Sequence, residues 1–154
     1  MFNKINIDYN GIVENEQMLI EFLSKHSDAF SLTAIIRKPY SQKPPIFKYN
    51  EQITPFATKF ISDKKDWPVD FLGQLKHQIM IICRCCKESR KELLKMPNLF
   101  SSLEYDLPED ICFYRQGKLW FASITHEKIS FMLNPTKEDL EFLETHAIIY
   151  HNEF

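Results

Sequence analysis

From Lys4 to Tyr9 apolar and polar residues alternate, with Ile5, Ile7 and Tyr9 set against Lys4, Asn6 and Asp8. A period of two places the apolar set on one face of an extended chain and predicts a strand, closed by Asn10-Gly11. Over Glu14–His26 the spacing changes: Met18, Leu19, Phe22 and Leu23 recur at helical intervals, with Glu14, Asn15, Glu16 and Glu21 left for solvent. Acid in the first turn and Lys25-His26 in the last suit the helix dipole. Phe30–Lys38 alternates again and predicts a strand closed by Pro39; a stiff loop to Pro45 and a short strand over Ile46–Tyr49 follow. Thr54-Pro55 has the form of an N-cap followed by proline at the first helical position, predicting a short helix from Pro55 to about Ser62.

The next segment supports two patterns. Leu72, Leu75, Ile79, Ile82 and Cys86 follow 3,4,3,4 spacing with no proline between Pro68 and Pro97, which predicts one long helix over 69–95. Within it Ile79–Cys83 is apolar all round, as a buried strand would be. The helix is the expectation, because the periodicity holds on both sides of the run. Pro97–Asp110 reads as an irregular connection. Ile111–Arg115 and Lys118–Thr125 flank Gln116-Gly117 as a hairpin, and a reversal near His126-Glu127 leads to Lys128–Leu133. These three strands form a meander. Thr136, with Asp139 three residues on, opens a helix through Glu144, and Ala147–His151 reads as a last strand. No internal repeat or linker is visible. The expected fold is α+β: residues 1–154 as a single globular domain, mostly antiparallel sheet with a C-terminal three-stranded meander, packed by one long and two or three shorter helices.

Composition narrows the classes. Of 154 residues, 44% are apolar and 14% aromatic, enough for a packed core and too many for a disordered chain. The longest apolar run, Ile79–Cys83, falls far short of the roughly 20 residues a spanning helix needs, so no membrane association is expected. Met1–Asp8 lacks the apolar stretch of a signal peptide, which makes a cytoplasmic location the expectation. Three of the four cysteines crowd into Cys83, Cys85 and Cys86, a poor disulfide framework, so reduced thiols and small buried hydrophobes are expected.

Candidate chemistry is sparse. Zinc wants four converging ligands; on a helix Cys83 and Cys86 share a face while Cys85 points away, and only Cys112, His77 and His126 could add to them. Arg84 and Lys87 stand beside the cysteines and would lower a thiol pKa, but no base or oxyanion site accompanies them. His126 and Glu127 could pair as base and carboxylate, yet neighbours on a strand point to opposite faces. No GxxxxGK[ST], GxGxxG, GxSxG or HExxH occurs, and with only Gly11, Gly73 and Gly117 a phosphate-cradling loop is hard to build. The sequence therefore leans away from an enzyme, with no metal, catalytic residue or cofactor expected.

Charge is uneven. Residues 31–95 carry 13 Lys/Arg against 6 Asp/Glu, a net of +7, while residues 1–30 sum to -3 and 96–154 to -6. Basic residues do stand beside aromatics in Arg37-Lys38-Pro39-Tyr40 and Phe47-Lys48-Tyr49, but an overall net of -2 argues against nucleic acid as the partner. The acidic set Glu104, Tyr105, Asp106, Glu109 and Asp110, with Glu138 and Glu141 on the last helix, suits a basic protein partner through steering and aromatic anchoring. The expectation is a small protein-binding module acting by occlusion, of the immunity or antitoxin type, inhibiting a basic toxin or nuclease. The alternative is an enzyme or ligand-binding protein whose site is assembled from scattered residues such as His126, Cys112 and Tyr114 on the meander.

Overall fold

The computed structural model of the chain describes residues 3–35, 49–61, 78–101 and 107–153. The first alternating segment is strand β1 (Lys4–Ile7), with Ile5 and Ile7 buried. Asp8 ends it by capping helix α1 (Tyr9–Glu14), its carboxylate accepting the Gly11 N–H at 3.1 Å. Gly11 was expected in a turn; it lies in α1 instead, where a Cβ would sit 3.2 Å from Ile148 Cγ2, so a larger side chain would crowd that contact. Helix α2 (Glu16–Lys25) follows, buries Leu19, Ile20 and Leu23, and leads into β2 (Ala29–Ile35). The expected loop to Pro45 and the strand over 46–48 lie outside the described residues.

Tyr49 opens a turn into the four-residue helix α3 (Asn50–Ile53) and a 3-10 turn, Thr54–Phe56. The short helix expected over 55–62 does not form: Thr54 and Pro55 lie within the 3-10 turn, which Ile53 precedes as N-cap, and the chain then extends as β3 (Ala57–Ile61). The long helix is also corrected. Of its expected span, 69–77 lie outside the described residues, and the rest divides into β4 (Gln78–Arg84) and α4 (Lys87–Lys95). The apolar run at Ile79–Cys83 decides the matter, because β4 lies inside the sheet and needs apolar residues on both faces. Cys86 breaks the pattern by capping α4 together with Ser89.

The C-terminal half follows the sequence closely. Strands β5 (Glu109–Arg115), β6 (Lys118–Ile124) and β7 (Ile129–Leu133) form the expected antiparallel meander. Helix α5 (Lys137–Thr145) begins with the expected capping box between Thr136 and Asp139, and β8 (Tyr150–Asn152) ends the fold. Among the described residues eight strands join one antiparallel sheet in the order β3-β4-β2-β5-β6-β7-β1-β8, so the fold is α+β.

The sheet has two unlike faces. One carries the main core, in which Phe30, Leu32, Ile81, Phe113, Trp120, Phe121 and Met132 meet Leu19, Leu23, Leu93 and Leu143 of the helices. The other carries a smaller cluster, Ile61, Met80, Cys112, Tyr114, Ala122 and Phe131, contributed among the described residues by strands alone. Alternation predicts that Trp120 and Phe121 take opposite faces. They do not: a register shift between Phe113 and Tyr114 leaves β6 with an extra residue, and both aromatics reach the main core.

Helices α2 and α5 are joined by matching segments. Glu21-Phe22-Leu23-Ser24-Lys25-His26 and Glu141-Phe142-Leu143-Glu144-Thr145-His146 share the pattern Glu-Phe-Leu-x-x-His. Phe22 and Phe142 stack at 4.0 Å, and each is flanked by its own histidine at 4.3 Å. The spacing of four sets each histidine ring, tilted, beside its phenylalanine, and the phenylalanine stack joins the two helices.

Candidate functional site

Two places gather charged side chains: the start of β5 beside the β6–β7 turn, and the outer surface of α5. At the first, Glu109 and Asp110 were expected in an exposed acidic loop; they are instead the first residues of β5 and are buried. A bulge explains how. Ser31 pairs with Cys112 but Thr33 pairs with Glu109, so Asp110 and Ile111 together oppose Leu32. Asp110 takes φ 51°, a left-handed conformation that Asp tolerates better than most residues.

The bulge aims the Asp110 carboxylate at the β6–β7 turn, where it accepts the Thr125 N–H at 2.7 Å. In return the Asp110 N–H donates to Thr125 Oγ1 at 3.2 Å. The next turn residue, His126, reaches back to Glu109, with Nε2 3.0 Å from Oε2. The partners differ sharply in exposure: the Glu109 side chain is 1% exposed and that of His126 52%. Glu109 Oε2 has no aligned hydrogen-bond donor, and neither has the buried Oγ1 of Thr33, its cross-strand neighbour. Burial raises the pKa of both carboxyls; for Glu109 the charge of His126 opposes that rise, and Asp110 adds to it.

Further along β5 on the same face, the Tyr114 hydroxyl lies 2.8 Å from Ser31 Oγ, with Cys112 between. His126, Cys112 and Tyr114 thus mark one strand pair, but only His126 reaches the surface. Burial pushes the Cys112 thiol up to about 12 and also raises Tyr114, so neither is primed to lose a proton. The Cys83-Arg84-Cys85-Cys86 segment behaves alike: desolvation drives Cys83 and Cys85 to about 12, outweighing Arg84 on the first and Arg90 on the second. All four cysteines are free. Cys83 and Cys112 are therefore expected to stay silent toward a thiol reagent in the folded protein and to react once denaturant is added. Fast modification of the native chain at these positions would contradict the burial.

At the second place, α5 presents Glu138 and Glu141 with side chains 68% and 60% exposed. Glu138 Oε1 lies 3.1 Å from His26 Nε2, Glu141 pairs with Lys137 at 3.3 Å, and Glu144 accepts from the Tyr150 hydroxyl. Asp139, on the same helix, turns inward and holds Arg115. The remaining members of the expected acidic surface, Glu104, Tyr105 and Asp106, lie outside the described residues. Among the described side chains the expected set therefore splits between the buried pair at β5 and the exposed pair on α5.

Sequence reasoning missed the contact between Glu109 and His126, because the register that makes it depends on the bulge in β6. Phe113 faces Phe121 and Cys112 faces Ala122. Continuing that register brings Glu109 opposite Thr125, one residue from His126. The partner of His126 is thus a carboxylate across the hairpin, not its neighbour Glu127. Among the described residues no group of three His, Cys, Asp or Glu is arranged to hold a metal ion, and no helix there is long and apolar enough to cross a membrane. No protein-family model matches the chain, and no curated protein or solved structure matches it either.

Proposed function

We propose that the chain is a cytoplasmic protein-binding module that covers a basic partner, as an inhibitor of a cationic toxin or nuclease would. The observation that carries this reading is the surface of α5. Glu138 and Glu141 stand one helical turn apart on a helix held from below by Asp139 and Leu143, so their charge is presented on a firm support. Their present partners, His26 and Lys137, make exposed ion pairs, which contribute little and exchange readily for the cations of another protein. Four free cysteines fit a reducing compartment. Glu109 and Asp110 are left out of the surface because they are buried.

The test begins with capture of the partner from the native host, the product of the neighbouring gene being tried first. Glu138→Gln with Glu141→Gln is expected to slow association by about tenfold at low salt while the melting temperature barely moves. The parent's association rate should fall as salt rises through the range where screening acts within about 8 Å. A double variant that associates as fast as the parent would sink the acidic-surface mechanism.

A second reading, a ligand-binding protein or enzyme using the meander, is favoured by one observation. A buried carboxylate against a half-exposed imidazole, as at Glu109 and His126, is an arrangement that acid–base sites use. Turnover on a substrate panel that is lost in His126→Gln would move the assignment there.

A further inference from the structure

Three strands of chain converge where β5 begins: β2 brings Thr33, β5 brings Glu109 and Asp110, and the β6–β7 turn brings Thr125 and His126. We infer that Glu109, Asp110 and His126 form a proton-operated latch that fastens the β6–β7 turn to the start of β5 while the imidazole is charged and loosens it when the charge is lost. This goes beyond the proposed binding function and does not depend on it.

The geometry supplies both halves of the latch. The mechanical half is the reciprocal pair between Asp110 and Thr125, at 2.7 and 3.2 Å, closed over a bulged backbone. The sensing half is His126, which is half exposed and so can exchange protons with water, yet touches a carboxylate that is almost wholly buried. Histidine is the side chain whose charge changes near neutrality. Three carboxylates crowd this corner, Glu109, Asp110 and Glu127, and His126 is the cation that acts on the two buried ones.

Among the described residues the other elements packed here add no compensating charge. From β2 come Ser31 and Thr33, and from β6 comes Ser123, all uncharged. Cys112 on β5 is neutral because its thiol is pushed up to about 12. Lys128, on the same turn, reaches away over the Tyr9 ring, 5.9 Å from its centre. When the imidazole is neutral, two desolvated carboxylates stand side by side with repulsion between them. The Asp110 carboxylate then turns toward water, which weakens its hold on the Thr125 N–H.

The sign follows from linkage. A carboxyl whose pKa is raised by folding favours the folded state below its unfolded pKa, and that contribution is lost as pH rises through the folded value. The charge of His126 acts against this loss at both carboxyls. The latch therefore loosens as pH rises.

The experiment uses the full chain and hydrogen exchange at the Thr125 amide, corrected for intrinsic rate, from about pH 5 to about pH 8. In the parent, protection is expected to fall by about fivefold or more across that range, the lower end of ordinary coupling. In Glu109→Gln the fall should shrink, because a neutral amide neither repels Asp110 nor needs the imidazolium. A carboxyl carbon-13 titration of Glu109 should show a higher midpoint in His126→Gln than in the parent. Protection that is independent of pH in the parent, or an identical fall in Glu109→Gln, overturns the latch. So does a Glu109 midpoint that does not move in His126→Gln. Because both substitutions keep side-chain size, circular dichroism is expected to show the parent fold in each.

Discussion

Phe121→Ala is expected to destabilise the protein by about 3–5 kcal/mol, the usual cost of removing a buried phenyl ring. Phe121 is fully buried in the middle of the sheet. Its ring meets Phe113 of the neighbouring strand edge-on at 6.1 Å and Phe100 edge-on at 6.0 Å, while Met132 stands opposite on the other side. Phe113 in turn lies 6.3 Å from Phe30, so the ring ties three adjacent strands, β2, β5 and β6, to the segment that follows α4. Truncation leaves a cavity walled by sheet backbone, which cannot collapse far, so the cost belongs toward the upper part of that range. Phe121→Leu refills most of the volume and should cost less than about 1.5 kcal/mol. Urea unfolding reads both: a lower midpoint with an unchanged slope is the expected signature. A Phe121→Ala midpoint within error of the parent would place the ring outside the core.

The aromatics around Phe121 also show how far the sequence specifies this fold. Elements with one clean period could be read directly: β1 from its alternation, though Tyr9 belongs to α1; α2 from its apolar stripe, though Met18 is exposed; and α5 from Thr136 and Asp139, whose capping box is present at the expected residues. The readings failed where a residue serves the whole sheet more than its own segment. Ile79–Cys83 is apolar on every side because β4 lies between β3 and β2 with a buried cluster on each face. A single-segment period cannot distinguish that from the middle of a buried helix. The helical spacing on its C-terminal side is real, but it belongs to a separate element, α4. Trp120 was misplaced for a different reason: strict alternation has no term for a bulge, and one extra residue in β6 turns two neighbours to the same side.

The candidate site was legible in its residue types and not in its exposure. Glu109, Asp110, Glu138 and Glu141 all read as solvated acid, since carboxylates are rarely buried unless paired. Glu109 and Asp110 meet that condition through groups 15 to 17 residues away, the Thr125 amide and the His126 ring. Asp139 meets it through Arg115, at the far end of β5. A carboxylate's burial is thus decided by which cation or donor the topology delivers to it, and a one-dimensional charge map holds no record of that delivery. What the map did contain was the excess of acid in residues 96–154, part of which α5 exposes.

Asp139→Ala is expected to cost about 3 kcal/mol or more, because that side chain closes a network joining three elements. Only 1% of it is exposed, and its two oxygens accept from Arg115 Nη1 at 3.1 Å and Nη2 at 3.0 Å, a two-pronged pair that is strong for its kind. One of those oxygens also accepts the Thr136 N–H at 2.7 Å, closing the cap of α5. Arg115 lies over Trp120, its Cζ 3.6 Å from the ring centre, and donates from Nε to the His26 carbonyl at the end of α2. Trp120 donates in turn to Ser27 Oγ at 2.9 Å. Removing the carboxylate leaves a guanidinium without its counter-charge beside an apolar ring and takes one acceptor from the start of α5. Breaking a buried pair costs about 3–5 kcal/mol; Arg115 is a quarter exposed, which pulls the estimate to the lower end, and the lost cap adds about 1 kcal/mol. Asp139→Asn keeps an acceptor for the cap and should lose less. Arg115→Met keeps the apolar stem over Trp120 but leaves Asp139 buried and unpaired, so it should also destabilise strongly. The double variant should then cost less than the two single losses added together, since each removes the other's unpaired charge. Urea midpoints for the four proteins of that cycle measure the coupling directly. Additive losses, or an Asp139→Ala cost below about 1 kcal/mol, would mean that the pair is an ordinary surface contact and that α5 is held by Leu143 and the Phe22–Phe142 stack alone.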